Sequence, residues 1–267
     1  MISPVANPHP FVKLCGACAP FTSVLLTLSP LPTLLNVAPS NLPPVAVANI
    51  NDDAGNTASK RATIASLPLL PYSSMMVNSA LWTLYGLSIR SAPVWMCNSV
   101  GIFLGLAYCA LFVMKSGGLS SSSSRYLPLS SPVGSAPLTI NDRNDLPSTF
   151  KSHVYLSSFI LVVALHFFRQ EARVNIAIMA NLVCAVMFMS PLSSLQRIIK
   201  RGRCPKGAIP LPFTATQGLN CVLWTVYGKL ALRDVAVWGP NAFGLACAFA
   251  QATVKVLYGE ERGRATS

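Results

Sequence analysis

Two short clusters of uncharged polar and aromatic residues stand out from an otherwise apolar chain. Asn78-x-x-x-Trp82-x-x-Tyr85-Gly86 recurs as Asn220-x-x-x-Trp224-x-x-Tyr227-Gly228, displaced by 142 positions throughout, and Asn98-x-x-Gly101 recurs as Asn241-x-x-Gly244, displaced by 143. A carboxamide offers donors and an acceptor without the desolvation cost of a charge, and an indole offers a flat apolar face with one N–H donor. These groups suit the holding of a ligand. Bond-breaking chemistry finds no support: there is no H-E-x-x-H, no G-x-S-x-G, no phosphate loop and no paired carboxylate within an apolar run. No enzyme and no cofactor are expected. Cys15-x-x-Cys18 lies in an apolar run without a second cysteine pair, so it reads as small-residue packing and no metal site is assigned.

The elements that must position these residues follow from composition. Of 267 residues, 52% are hydrophobic and 10% charged, and mean hydropathy is +0.51. That leaves too little polar surface to solvate a globule of this size, which points to a polytopic membrane protein. The net charge of +12 is spread in short runs between apolar stretches, which speaks against a nucleic-acid partner. Uncharged runs cover 14–51, 62–89, 91–114, 152–168, 174–196, 207–228 and 235–254, each near or above the length of a spanning helix. Residues 38–66 read as an extended loop after the first span, and the Ser/Pro/Gly-rich stretch 115–151 as a flexible linker. With seven spans and the N terminus outside, most of the 20 Lys and Arg residues fall on the cytosolic side. Without the fourth span that bias disappears, so the positive-inside rule favours seven.

The repeat organises those spans. Ser29-Pro30-Leu31 recurs as Ser190-Pro191-Leu192, displaced by 161, so spans 1–3 duplicate spans 5–7. A three-helix unit ends on the side opposite to its start, and one additional span restores the orientation of the second copy. The expected fold is an all-α membrane protein of seven transmembrane helices, as two parallel three-helix bundles joined by a linker helix (3+1+3). The units are 1–114, 115–173 for linker and fourth helix, 174–258, and a cytosolic tail 259–267. Parallel copies face each other about an axis along the membrane normal, which makes matched polar residues candidates for substrate contact near the midplane.

These motifs, with Ser-Pro-Leu-Pro-Thr at 29–33, Pro71-Tyr72, Pro210 and Pro240-Asn241-x-x-Gly244, resemble the SWEET family of sugar transporters over about residues 11–114 and 174–258. SWEET transporters are a known instance of the parallel-repeat arrangement. The resemblance implies that Asn98 and Asn241 form a pocket pair for sugar hydroxyls. It implies that Trp82 and Trp224 stack on a pyranose with their indole N–H free to donate. Alternatives from the residues alone are helix-packing amides and interfacial tryptophans. By the same resemblance Ser23 and Cys184 line the pocket, Asn78 and Asn220 stand where serine is common, and Leu26 and Met187 are the bulky choice associated with monosaccharides. Pro30, Pro71, Pro191 and Pro210 match hinge prolines toward the cytosolic helix ends; the bland alternative is a static kink. Tyr85 and Asp234 match an outer gate, against a solvated loop pair of Asp234 with Arg233.

No Asp or Glu falls inside a span by this reading, so no carboxylate is at hand to carry a coupling proton. The implied function is passive, bidirectional facilitated diffusion of a monosaccharide such as glucose by alternating access. The implied partners are a small-molecule sugar and membrane lipid, with assembly into a homo-oligomer left open. The implied location is the plasma membrane, N terminus outside and C terminus cytosolic. Other readings are a PQ-loop-type carrier of amino acids, a seven-helix receptor and a scaffold without transport. The first usually carries Pro-Gln where this chain has Pro30-Leu31 and Pro191-Leu192.

Overall fold

In lipid an apolar run satisfies its peptide N–H and C=O groups only along its own axis, so each run coils into a helix. The computed structural model describes residues 5, 7–36, 70–115, 148–205 and 208–259, and among them the chain is helical nearly throughout. Helix α1 (Pro10–Leu28) continues after a short break as α2 (Leu31–Asn36). They are followed by α3 (Leu70–Ser88), α4 (Ala92–Lys115), α5 (Ser148–Arg169), α6 (Arg173–Arg201), α7 (Leu211–Tyr227) and α8 (Val235–Tyr258). The all-helical expectation is met. The loop expected over 38–66, the Ser/Pro-rich stretch before α5 and the tail after Gly259 lie outside the described residues.

Three stretches, Pro10–Asn36, Ala92–Met114 and Lys151–Arg169, are long and apolar enough to cross a membrane by composition alone. Helices α3 and α7 are more polar because they carry Ser73, Asn78 and Ser79, and Thr214, Gln217 and Asn220. The outside of the bundle is apolar: Phe103 on α4, Phe159 on α5 and Val256 on α8 are 73%, 66% and 79% exposed. Such a surface belongs in lipid.

Helix α4 packs on both α1 and α3, and α8 packs on both α6 and α7. The triplets meet along two seams, α1 with α7 and α3 with α6. Exchanging the triplets converts one seam into the other, as expected of two copies facing each other across an axis along the bundle. Helix α5 stands outside this pattern, against α3 and α6, with His153 Nδ1 3.1 Å from Ser73 Oγ on α3. The arrangement is consistent with a 3+1+3 order.

Close approaches repeat as well. A Cβ on Gly86 would lie 2.7 Å from Trp95 N, and one on Gly228 3.0 Å from Trp238 N. Both glycines let the end of one helix touch the start of the next, the use small residues have in membrane bundles. The change of displacement from 142 to 143 has a structural origin. Gly228–Leu232 forms a π-helical turn, which absorbs one residue more than an α turn. Directly afterwards Arg90 (φ 54°) and Arg233 (φ 53°) hold matched left-handed positions.

The four prolines expected as hinges occupy different settings. Pro30 sits in the break between α1 and α2 and cannot donate to the Leu26 carbonyl. Ser29 donates there instead, from N at 3.1 Å and Oγ at 2.7 Å, and Tyr108 Oη donates to the Thr27 carbonyl at 2.8 Å. Pro191 lies within α6, which runs through it. Pro71 lies at the start of the described part of α3, the residues before Leu70 being outside the described ones, and Pro210 is the N-cap of α7. At a helix start the missing N–H has no intrahelical partner to lose, so Pro210 produces no internal kink in α7. Pro20 in α1 and Pro240 in α8 are the prolines that stand inside helices besides.

Candidate functional site

The two seams bring the predicted polar residues together in matched corners. On the α1–α7 seam Trp224 Nε1 donates to Ser23 Oγ at 2.8 Å, and Ser23 Oγ donates to Asn220 Oδ1 at 2.9 Å. On the α3–α6 seam the Cys184 thiol donates to Asn78 Oδ1 at 3.2 Å, and Trp82 hydrogen-bonds the same sulfur. Asn78, Trp82 and Cys184 are thus the counterparts of Asn220, Trp224 and Ser23, arranged in the same order. The four-residue spacing of Asn and Trp on one helix face produces this, because residues at i and i+4 stack on one side. The indole N–H groups, expected to be free, are committed to Ser23 and Cys184. Trp82, Trp224 and Asn220 are all buried.

Asn98 and Asn241 behave alike, each bonded within its own helix. Asn98 Nδ2 donates to the Val94 carbonyl at 2.7 Å, and Asn241 Nδ2 donates to the Val237 carbonyl at 2.8 Å. Each amide therefore ties its nitrogen to the preceding turn of its own helix. Leu26 and Met187 are both half-buried.

A second pair of matched contacts lies three residues beyond each tryptophan. Tyr85 Oη donates to Asp234 Oδ2 at 2.5 Å, while Asp234 Oδ1 accepts the Ala236 N–H at 2.9 Å and so caps α8. Both carboxylate oxygens are taken by partners other than Arg233. The counterpart contact joins Tyr227 Oη and Ser91 Oγ at 3.4 Å. Each tyrosine meets its tryptophan edge to face, Trp82–Tyr85 at 5.7 Å and Trp224–Tyr227 at 6.0 Å between ring centres. Beside Tyr85 and Asp234 lies a cavity of about 1010 Å³, lined also by Arg173, Ala177, Asn181 and Pro240. Asn181 spans its floor, donating to Ala177 O on α6 at 2.8 Å and reaching Ala236 O on α8 at 3.4 Å. The corner residues and Asn98 and Asn241 do not line this cavity.

Sequence reasoning missed four of these groups. Ser91 and Tyr227 follow from Asp234 and Tyr85 by the repeat displacement, so the signal was present. Thr22, with Oγ1 2.8 Å from Asn220 Oδ1, has no polar counterpart, since Val183 stands at its matched position. Asn181 likewise matches Pro20, and no arithmetic on the repeat would find it.

Among known proteins, a family profile described as "Sugar efflux transporter for intercellular exchange" matches residues 56–117 and 174–263. "Bidirectional sugar transporter SWEET7" of Arabidopsis thaliana is 23% identical over 252 residues, covering 92% of this chain and 79% of the relative. "Sugar transporter SWEET1" of Dictyostelium discoideum is 24% identical over 243 residues, covering 90% of each. The solved structure of a eukaryotic SWEET transporter superposes with a TM-score of 0.61 over 92% of this chain and 96% of that one, at 17% identity.

Proposed function

The chain belongs to the SWEET family of sugar efflux transporters, since the matched segments take in more than half of it, and from that premise we propose that it is a passive, bidirectional uniporter for a monosaccharide such as glucose. The observation that carries the reading is the pair of uncharged Trp–Ser/Cys–Asn corners on the two seams between the triplets. Groups of this kind match hydroxyls, which both donate and accept, and they leave no charge to be neutralised by an ion. No Asp or Glu lies within any described helix, and an intramembrane carboxylate is the usual carrier of a coupling proton.

In this reading Asn98 and Asn241 turn their amide oxygens toward the solute, and Asn78 and Asn220 turn their NH2 groups. Leu26 and Met187 bound the space, and alternating access rocks one triplet against the other. Tyr85 and Asp234 form the external gate, bonded in its closed position, and the break at Pro30 and the matched Pro191 serve the opposite end. The repeats are 1–114 and 174–258, connected by 115–173. The protein is embedded in membrane; we place it in the plasma membrane with its N terminus outside.

The test is equilibration of radiolabelled glucose into proteoliposomes without any ion gradient. Wild type is expected to fill to equilibrium, and folded Asn98→Ala and Asn241→Ala each to lose most of that flux. Uptake that begins only when a proton gradient is imposed would overturn the uniporter reading.

A further inference from the structure

We propose that Thr22 is a specificity-determining residue that makes the two halves of the solute site unequal, by anchoring the Asn220 amide more firmly than Asn78 is anchored opposite. The inference rests on the uniporter reading and deepens it. Its starting point is the direction of the hydrogen bonds. An indole N–H only donates, so Ser23 Oγ, which receives it from Trp224 at 2.8 Å, sends its own hydrogen onward. The acceptor is Asn220 Oδ1 at 2.9 Å. The amide is thereby fixed with its oxygen in the corner and its NH2 turned away. Thr22 Oγ1 lies 2.8 Å from the same oxygen and 2.9 Å from the Ala19 carbonyl, its single hydrogen shared between them. Asn220 thus has two hydroxyls directed at its oxygen.

The other corner keeps the direction and loses the strength. Cys184 replaces the serine, and a thiol is a weak donor, here 3.2 Å from Asn78 Oδ1. Val183 replaces Thr22 and supplies no hydrogen at all. Among the described residues Thr225 Oγ1 is the enclosed side-chain polar atom without a partner, so the NH2 groups of Asn78 and Asn220 are not sealed in protein. They open onto accessible space as donors, while Asn98 and Asn241 each give one of two amide hydrogens to their own helix and present their oxygens. The four amides form two pairs related by the repeat. A hexopyranose has no twofold axis, and a site with one firm and one loose donor can select one orientation of it where a symmetric site could not.

The experiment is equilibrium exchange in proteoliposomes with glucose and its single-position deoxy analogues, for wild type, Thr22→Val, Thr22→Ser and Val183→Thr. Thr22→Val copies the opposite half. It should raise the exchange KM for glucose about five- to tenfold, the worth of one hydrogen bond, leave the maximum rate within about twofold, and flatten the preference for glucose over the deoxy sugar that wild type rejects most. Thr22→Ser should restore both, which a packing role for the threonine methyl would not predict. Val183→Thr should lower KM, and it carries the test alone where Thr22→Val fails to fold. Unchanged KM and unchanged analogue preference in folded Thr22→Val, or Thr22→Ser behaving like Thr22→Val, would overturn the role of Thr22 and leave transport standing. Wild-type liposomes that exchange no sugar would overturn the uniporter reading itself, and this inference with it.

Discussion

Thr83 and Thr225 occupy matched positions on α3 and α7, yet only one hydroxyl is satisfied. Thr83 Oγ1 donates to the Ser79 carbonyl at 2.8 Å, whereas Thr225 Oγ1 is enclosed without a partner. An unpaired buried hydroxyl carries its desolvation penalty with nothing to offset it. Thr225→Val, which keeps the shape, should therefore stabilise the protein by about 1 kcal/mol, while Thr83→Val should be neutral or destabilising; thermal melting in detergent reads both. The Tyr85–Asp234 contact is a charge-assisted bond, a kind stronger than a neutral pair, and its counterpart Tyr227–Ser91 is long and neutral. If the first contact holds the end of the bundle shut, Tyr85→Phe should raise the labelling of Cys184 by an impermeant maleimide about tenfold, the shift expected on losing some 1.5 kcal/mol from the closed state. The measurement belongs in a background without other thiols, and unchanged labelling would remove the gate role from this pair.

Helix ends, more than helix middles, decide how the elements fit. Gly86 and Gly228 sit where α3 and α7 finish, directly against the backbone of Trp95 and Trp238. A change of rotamer does not clear these contacts, because main chain lies in the way at both, joined at Gly228 by Val237 Cγ1 at 2.9 Å. Gly228→Ala should cost about 1–3 kcal/mol as an overpacking change and lower the melting temperature accordingly. Gly218→Ala is the control, since its Cβ would meet Ala248 Cβ at an ordinary 3.6 Å; equal losses at both sites would show that the contact at Gly228 does not set the effect. The π turn at Gly228–Leu232 shows how an element can absorb an insertion without losing its partner. The chain still delivers Asp234 to the N-cap of α8, just as Ser91 precedes α4. A single-residue slip in sequence register, legible as 142 becoming 143, became a local widening of one helix turn.

At the scale of the molecule, the proposed alternating access would have the seams hold one pivot while another surface opens. Gly16 on α1 lies so close to Tyr227 that a Cβ would fall 2.6 Å from the ring, and the matched position on α6 is Ala177 beside the cavity. Gly16→Val should force α1 from α7 and cut exchange by more than about tenfold with helix content unchanged by circular dichroism. Tyr227→Ala should then recover part of the loss; failure to recover any would place the damage elsewhere than this seam. Sugar flux through the wild-type protein should also be indifferent to collapse of the proton gradient by an uncoupler, because no described helix contains an acidic residue.

Much of this architecture could be read from the chain alone. Hydropathy and the spacing of charges dictate helices, because a backbone in lipid has no alternative. The displacement of Asn78, Trp82 and Asn98 onto Asn220, Trp224 and Asn241 identified the repeat, because matched copies must present matched side chains. What sequence could not supply was direction. Whether an indole N–H is free or given to Ser23, whether an amide shows its nitrogen or its oxygen, and that Thr22 joins one corner while Val183 fails the other depend on atoms nearly two hundred residues apart along the chain. The setting of Pro210 was equally hidden, since a proline looks the same in sequence whether it starts a helix or bends one. Periodicity and composition act along a single segment, whereas hydrogen-bond partners across a seam exist only once two helices have met.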